Sequence, residues 1–161
     1  MKNLKIALLA LCLLSANISA QAQTFFDKTF SGKYTEQFVN GGPKYEINIL
    51  NGKKQGLEIF WYESGRIKIQ TNYVDDKEDG VWNQWYENGQ MKLEAHYKAG
   101  REHGSFKQWY ENGQQRAQSN FVDGKKEGPE YAWHKDGKLK SEVLYKDGQV
   151  INKPSNKNSI K

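Results

Sequence analysis

Three columns of glycine repeat along this chain with a fixed spacing of 24 residues and no insertion. The first is Gly32, Gly56, Gly80, Gly104 and Gly128. The second is Gly41, Gly65, Gly89, Gly113 and Gly137. The third is Gly52, Gly100, Gly124 and Gly148, with Asp76 in the one missing place. A strict period of this length is the mark of a repeat architecture, in which each unit is one supersecondary element packed on its neighbours. Aromatic columns keep the same step: Trp61, Trp85, Trp109 and Trp133, then Tyr62, Tyr86 and Tyr110, then Tyr73, Tyr97, Phe121 and Tyr145. A basic column follows: Lys68, Lys92, Arg116 and Lys140.

Within each unit the local signals are those of a β-hairpin. Val81 to Tyr86 is rich in aromatic and β-branched residues, Glu87-Asn88-Gly89-Gln90 is a turn, and Met91, Leu93, Ala95 and Tyr97 alternate with polar residues. Period-2 alternation marks a half-buried strand, and Asn-Gly is the strongest short hairpin signal. Gly100-Arg101-Glu102-His103-Gly104 supplies the return. No 3.6-residue stripe appears after Ala22, so no helix is expected there. The fold predicted is all-β: five 24-residue hairpins over 32–148, forming one elongated, twisted antiparallel meander. Ten strands at ~4.8 Å spacing would make it roughly 45 Å long. The first unit, Gly32 to Leu50, has Gln37 and Phe38 where the others have Trp and Tyr, and reads as a degenerate cap.

The ends are different. Lys2 and Lys5, the apolar run Ile6 to Leu14, and Ala20 with Ala22 have the layout of a secretory signal peptide over 1–22. The run is too short to span a bilayer, so the processed chain is expected to have no transmembrane segment and to be periplasmic or extracellular. Cys12, the single cysteine, lacks the preceding small residue of a lipidation site and would be removed with the leader. Residues 23–31 read as a linker, and 149–161, polar and rich in Lys and Asn, as a disordered tail.

The formal charge of +5 falls by two on cleavage, and both signs are interspersed. That composition excludes a nucleic-acid footprint. Of the three His, no two have metal-ligand spacing within one element, so no zinc site is expected. Asp75-Asp76-Lys77-Glu78-Asp79-Gly80 has Lys77 where a calcium loop needs a ligand, and reads as a polar turn. No nucleophile elbow, phosphate loop or dinucleotide fingerprint occurs. The carboxylates Glu63, Glu87 and Glu111 recur at turns, whereas a catalytic pair would be unique. No enzyme activity and no cofactor are expected.

Hairpin register decides which columns share a face, and two registers fit. A two-residue loop at Asn88-Gly89 sets Trp85 opposite Lys92; a three-residue loop sets Trp85 opposite Met91. Either way, Ile67, Met91, Gln115 and Leu139 are expected beside Tyr73, Tyr97, Phe121 and Tyr145, with the cations and an aromatic column opposite. In one register that aromatic column is tryptophan, in the other Tyr62, Tyr86 and Tyr110. The candidate partner-binding strip is Trp61–Lys68, Trp85–Lys92, Trp109–Arg116 and Trp133–Lys140. A single layer hides only one face, so such a strip is either a stacked, Lys-shielded column or a docking surface.

The pattern Gly-x-x-x-Gly-x-Trp-x-x-Trp-Tyr-Glu-Asn-Gly-Gln-x-Lys, clearest up to Lys92, resembles the motif of the bacterial MORN-repeat-variant family over about residues 30 to 148. It departs from the shorter eukaryotic MORN unit centred on Tyr-x-Gly, so the lipid binding of those proteins transfers poorly. The uninterrupted Trp and Lys/Arg columns on a rod-like sheet point to a non-enzymatic envelope or secreted scaffold that binds another protein along that strip or a sheet edge. Relatives labelled antitoxin-like suggest an immunity role, which for an exported chain would lie in the periplasm. The alternatives are a cell-wall glycan-binding module, since sugar rings stack on Trp faces, and a self-associating element that pairs through its edge strands.

Overall fold

The computed structural model describes residues 27–152. The signal peptide expected over 1–22, the first part of the linker and residues 153–161 lie outside them. The described chain is one open antiparallel sheet without helices. Its strands are β1 (Gly32–Gln37), β2 (Pro43–Leu50), β3 (Lys53–Trp61), β4 (Ile67–Val74), β5 (Lys77–Glu78), β6 (Gly80–Trp85) and β7 (Met91–Lys98). They continue as β8 (Arg101–Trp109), β9 (Gln115–Val122), β10 (Lys125–Lys126), β11 (Gly128–Trp133), β12 (Leu139–Lys146) and β13 (Gln149–Asn152). Spatial order follows chain order. The short β5 and β10 pair with β4 and β9 as the first parts of the arms that β6 and β11 complete.

Two kinds of reversal alternate. The first is a turn such as Tyr86 to Gly89, in which Gly89 N–H donates to Tyr86 O at 2.9 Å and Tyr86 N–H to Gln90 O at 2.8 Å. Gly89 has φ of 90°, the left-handed residue that closes a three-residue hairpin loop. The second is a two-residue loop with both residues left-handed, as at Asn51 (φ 51°) and Gly52 (φ 77°). Positive φ at both positions is the primed turn, whose twist matches that of the strands. Asp75-Asp76 is the same turn, and Asp76 Oδ1 accepts from Lys54 N–H at 2.7 Å. What resembled a calcium loop is thus a hairpin tip.

After each primed turn that leads into a further hairpin, two extra residues enter the returning strand. Tyr97 pairs Glu102, but Ala95 pairs Phe106. An insertion of two keeps the alternation of faces intact.

Both expected boundaries shift. Asp147-Gly148 is another primed turn, and it sends Gln149–Asn152 back along β12, with Lys146 opposite Gln149 and Tyr145 opposite Val150. The tail therefore does not begin at residue 149: β12 offered an open ladder, and the turn delivered the chain to it. At the other end, Phe30 O accepts from Gly52 N–H at 2.8 Å. In the same way Lys54 O takes Asp76 N–H, and Glu78 O takes Gly100 N–H. Residues 27–31 thus belong to the period rather than to a linker.

Among the described residues no second layer covers the sheet, so burial comes from size differences within one face. Thr71, Ala95 and Ser119 sit mid-strand at 2, 1 and 6% exposure. Across the ladder Thr71 faces Glu58, Ala95 lies between Trp82 and Phe106, and Ser119 faces Phe106. Tyr73, Tyr97 and Phe121 follow two residues later on the same face. Small side chains sink beneath large cross-strand partners. Every other buried side chain, Ile47, Ile49, Glu58 and Phe121, is on this same face by register.

The glycines of the primed turns are not equivalent. A Cβ on Gly52 would lie 2.7 Å from Lys28 Cα and 2.8 Å from Asp27 O, whereas one on Gly124 meets nothing within 4 Å. Gly124→Ala should cost only the left-handed penalty, about 1–2 kcal/mol. Gly52→Ala should add an overpacking cost of about 1–3 kcal/mol. Urea unfolding of the two variants checks this; equal midpoints would mean the N-terminal turn does not pack on Gly52.

Candidate functional site

Neither single register holds through a hairpin; both occur in succession. Trp85 pairs Met91, as a three-residue loop requires, yet Gln84 pairs Leu93. Lys92 is the extra residue between them. The same shift recurs where Trp61 pairs Ile67 and Phe60 pairs Ile69, where Trp109 pairs Gln115, and where Trp133 pairs Leu139. The bulged residues are therefore Lys68, Lys92, Arg116 and Lys140, the entire basic column.

The bulge separates the predicted strip. Side chains alternate along a regular strand, and an inserted residue resets that alternation. The four tryptophans stay with Ile67, Met91, Gln115 and Leu139 on one face, here the tryptophan face. The cations turn to the other, the tyrosine face. There Lys68 Nζ lies 5.4 Å from the Tyr62 ring centroid, Lys92 Nζ 5.4 Å from that of Tyr86, and the Arg116 guanidinium 5.7 Å from that of Tyr110. The Trp–cation pairs Trp61–Lys68, Trp85–Lys92, Trp109–Arg116 and Trp133–Lys140 do not form. Nor does the apolar column of Ile67 lie beside Tyr73; the bulge carries it to the opposite face. Each cation–ring contact contributes about 0.5–1 kcal/mol at an exposed site.

The tyrosines have a second task that their sequence column does not announce. Tyr62 O–H donates to Trp85 O at 2.8 Å, Tyr86 O–H to Trp109 O at 2.9 Å, and Tyr110 O–H to Trp133 O at 2.8 Å. Each reaches the backbone of the next unit and fixes the tryptophan there. Turn asparagines do likewise: Asn88 Nδ2 donates to Glu111 O and Asn112 Nδ2 to Lys135 O, both at 3.1 Å. Ser64 stands where the other units have Asn, and Arg66 Nη1 takes over, donating to Glu87 O at 2.7 Å. The pairing of Ser64 with Arg66 two residues on was the available sequence signal. In the last unit His134 and Asp136 replace Tyr and Asn, and among the described residues no further unit follows.

The tyrosine face also holds two polar clusters. Glu58, 4% exposed, accepts from Tyr45 O–H at 2.7 Å and from Lys54 Nζ at 2.5 Å. Lys54 Nζ also lies 4.7 Å from the Tyr73 ring centroid. Farther along, Lys126 pairs with Glu130 and lies 4.9 Å from the Tyr145 ring centroid. Burial, then the Glu58 carboxylate, pushes the Tyr45 and Tyr73 phenols well above their ordinary range. Burial, then Glu102 and Glu78, pushes Tyr97 up to about 12. Burial likewise raises Glu102, against the pull of Lys126. Among the described residues no three His, Cys, Asp or Glu come together as a metal site. No helix there is long and apolar enough to cross a membrane.

Four consecutive segments, residues 54–75, 78–99, 102–123 and 126–147, match the model of the MORN repeat variant family. Each runs from one primed turn to the next, and together they make up more than half of the chain. The degenerate unit Gly32–Leu50 lies outside the match. No curated protein matches the chain.

Two outcomes follow from these contacts. Phe38 occupies the tyrosine column but has no hydroxyl, so the link to Trp61 O is missing. Phe38→Tyr should stabilise by about 0.5–1.5 kcal/mol, and Tyr86→Phe should cost a similar amount, by removing the hydrogen bond to Trp109 O. Thermal melting of both variants tests the pair, and an unchanged Tyr86→Phe would show that the link is idle. For Tyr97 the folded pKa lies above the ordinary unfolded value of about 10. Its contribution is therefore complete below that pH and is lost as pH rises towards about 12. Tyr97→Phe should flatten the alkaline loss of stability, read by circular dichroism alongside tyrosinate absorbance. An alkaline profile identical to that of the wild type would contradict the buried phenol.

Proposed function

The chain belongs to the MORN repeat variant family, and from that premise we propose an exported, non-catalytic scaffold that binds another protein in the cell envelope through its tyrosine–cation strip. Repeats of this family are non-catalytic protein- or membrane-binding modules. Export is supported by Lys2, Lys5, the apolar run Ile6 to Leu14, and Ala20 with Ala22.

One observation carries the choice of surface. Among the described strand residues of the tyrosine face, Lys68, Lys92, Arg116 and Lys140 pair with no carboxylate, whereas Lys44, Lys54 and Lys126 do. The first three of the unpaired cations are held over tyrosine rings, at a spacing of two strands, ~9.6 Å. A line of preorganised, unneutralised cations backed by aromatic rings suits an acidic protein surface. Such complementarity governs association rate and partner choice more than raw affinity. A periplasmic immunity protein bound to an acidic effector is one form this reading takes.

The test is crosslinking in the native envelope, followed by capture on the wild-type chain and on a Lys92→Glu, Arg116→Glu double variant. The strip predicts a partner that is lost on charge reversal and whose binding to the wild-type chain weakens steeply with salt. If the reversed chain retained every partner at wild-type level, the strip would not be the interface.

A further inference from the structure

The tryptophan face is separate from the strip just described, and its chemistry differs. Trp61, Trp85, Trp109 and Trp133 occupy equivalent ladder positions and are all half-buried, each keeping part of its surface open. They stand two strands apart, ~9.6 Å from one to the next. Three of the four have their backbone carbonyls held by the preceding unit's tyrosine. The aromatic ladder is therefore fixed before any ligand arrives, which lowers the cost of binding.

Beside it runs a second row, given by the register: Ile59 opposite Gln70, then Asn83, Glu94, Lys107 and Gln118, and finally Tyr131. It is a row of amide and carboxylate hydrogen-bonding groups, with an aliphatic residue at one end only. Its two charges, Glu94 and Lys107, are paired at 3.6 Å, so the row between Ile59 and Tyr131 carries no net charge, and the face's other cations, such as Lys98 and Arg101, stand apart from it at the primed turns. The cations that would have flanked the tryptophans sit on the opposite face.

We propose that this face binds a single, uncharged β-1,4-linked glycan chain lying across the strands. Indole rings stack on the apolar faces of sugar rings, and the amide row meets their hydroxyls. A step of two strands is commensurate with the disaccharide repeat of an extended β-1,4-linked chain, so each unit engages one disaccharide. The absence of net charge along the row beside the tryptophans suits a neutral polymer better than an acidic one. Neighbouring strands in a sheet rotate by about 20–25°, so successive tryptophans are turned relative to one another. A free chain follows that rotation; a flat crystalline surface does not.

Calorimetry and tryptophan fluorescence with cellohexaose and chitohexaose, and with their di- and tetrasaccharides, test this. Affinity should rise with each added disaccharide, as each reaches another tryptophan. Trp85→Ala with Trp109→Ala should lower the hexaose affinity about tenfold or more. Trp82→Phe, on the tyrosine face, should leave it unchanged, and so should Lys92→Glu with Arg116→Glu. Maltohexaose, whose α-1,4 chain coils, should bind weakly, and crystalline cellulose should not retain the protein. Affinity independent of chain length, or no response to either β-linked hexaose, would overturn the proposal even if the double alanine variant failed to fold. Loss of the protein partner on charge reversal, with glycan binding intact, would separate the two surfaces.

Discussion

A sheet one layer thick has nothing to close over it, and that constraint shapes the rest of this molecule. Hydrophobic burial ordinarily comes from a second layer. Here it comes from contrast within a face, with Thr71, Ala95 and Ser119 lying low beneath Trp82, Phe106 and the Tyr73 column. So little apolar area is hidden that backbone satisfaction carries unusual weight. Each primed turn gives its N–H to a carbonyl of the preceding unit, and each tyrosine gives its O–H to a carbonyl of the following one. Stability therefore sits in the seams between units as much as within the hairpins, as expected where contacts are confined to neighbours.

The bulged cation links that backbone framework to the surfaces. By resetting alternation near every first turn, it sends the basic column one way and the tryptophans the other. One face gathers the bulged cations and the phenols; the other gathers the indoles beside a row rich in amides, with its unpaired cations kept to the primed turns. Without the bulge the two sets would lie together as a single mixed strip. The separation gives one thin sheet two chemically unlike surfaces.

Much of this was legible in the sequence. The glycine columns, read with Asn88-Gly89 and the alternation of Met91, Leu93, Ala95 and Tyr97, gave the hairpins, the period and the meander. Register was not legible, because weighing the faces of Trp85–Lys92 against those of Trp85–Met91 assumes one register per hairpin. A bulge satisfies the first near the sheet centre and the second near the turn. Nothing in the column of Lys68, Lys92, Arg116 and Lys140 marks those residues as unpaired in the ladder. Composition also misled at residue 149: Gln149–Asn152 is strand because Asp147-Gly148 turns it onto β12, a cue outside the segment itself. Residues 27–31 were missed in the same way, since Phe30 joins the period only through its carbonyl.

The seams are directional. Tyrosine hydroxyls and asparagine side chains point towards the C-terminus of the array, and the backbone N–H groups of the primed turns point back towards its N-terminus. A duplicated 24-residue segment spliced between any two interior units would meet the same donors and acceptors on both sides and require no new kind of interface. The terminal units are different, with Phe38 lacking the hydroxyl at one end and His134 and Asp136 standing in at the other. The length of such a sheet is thus free to grow or shrink by whole units inside fixed ends, and its two faces lengthen with it like marks added to a ruler.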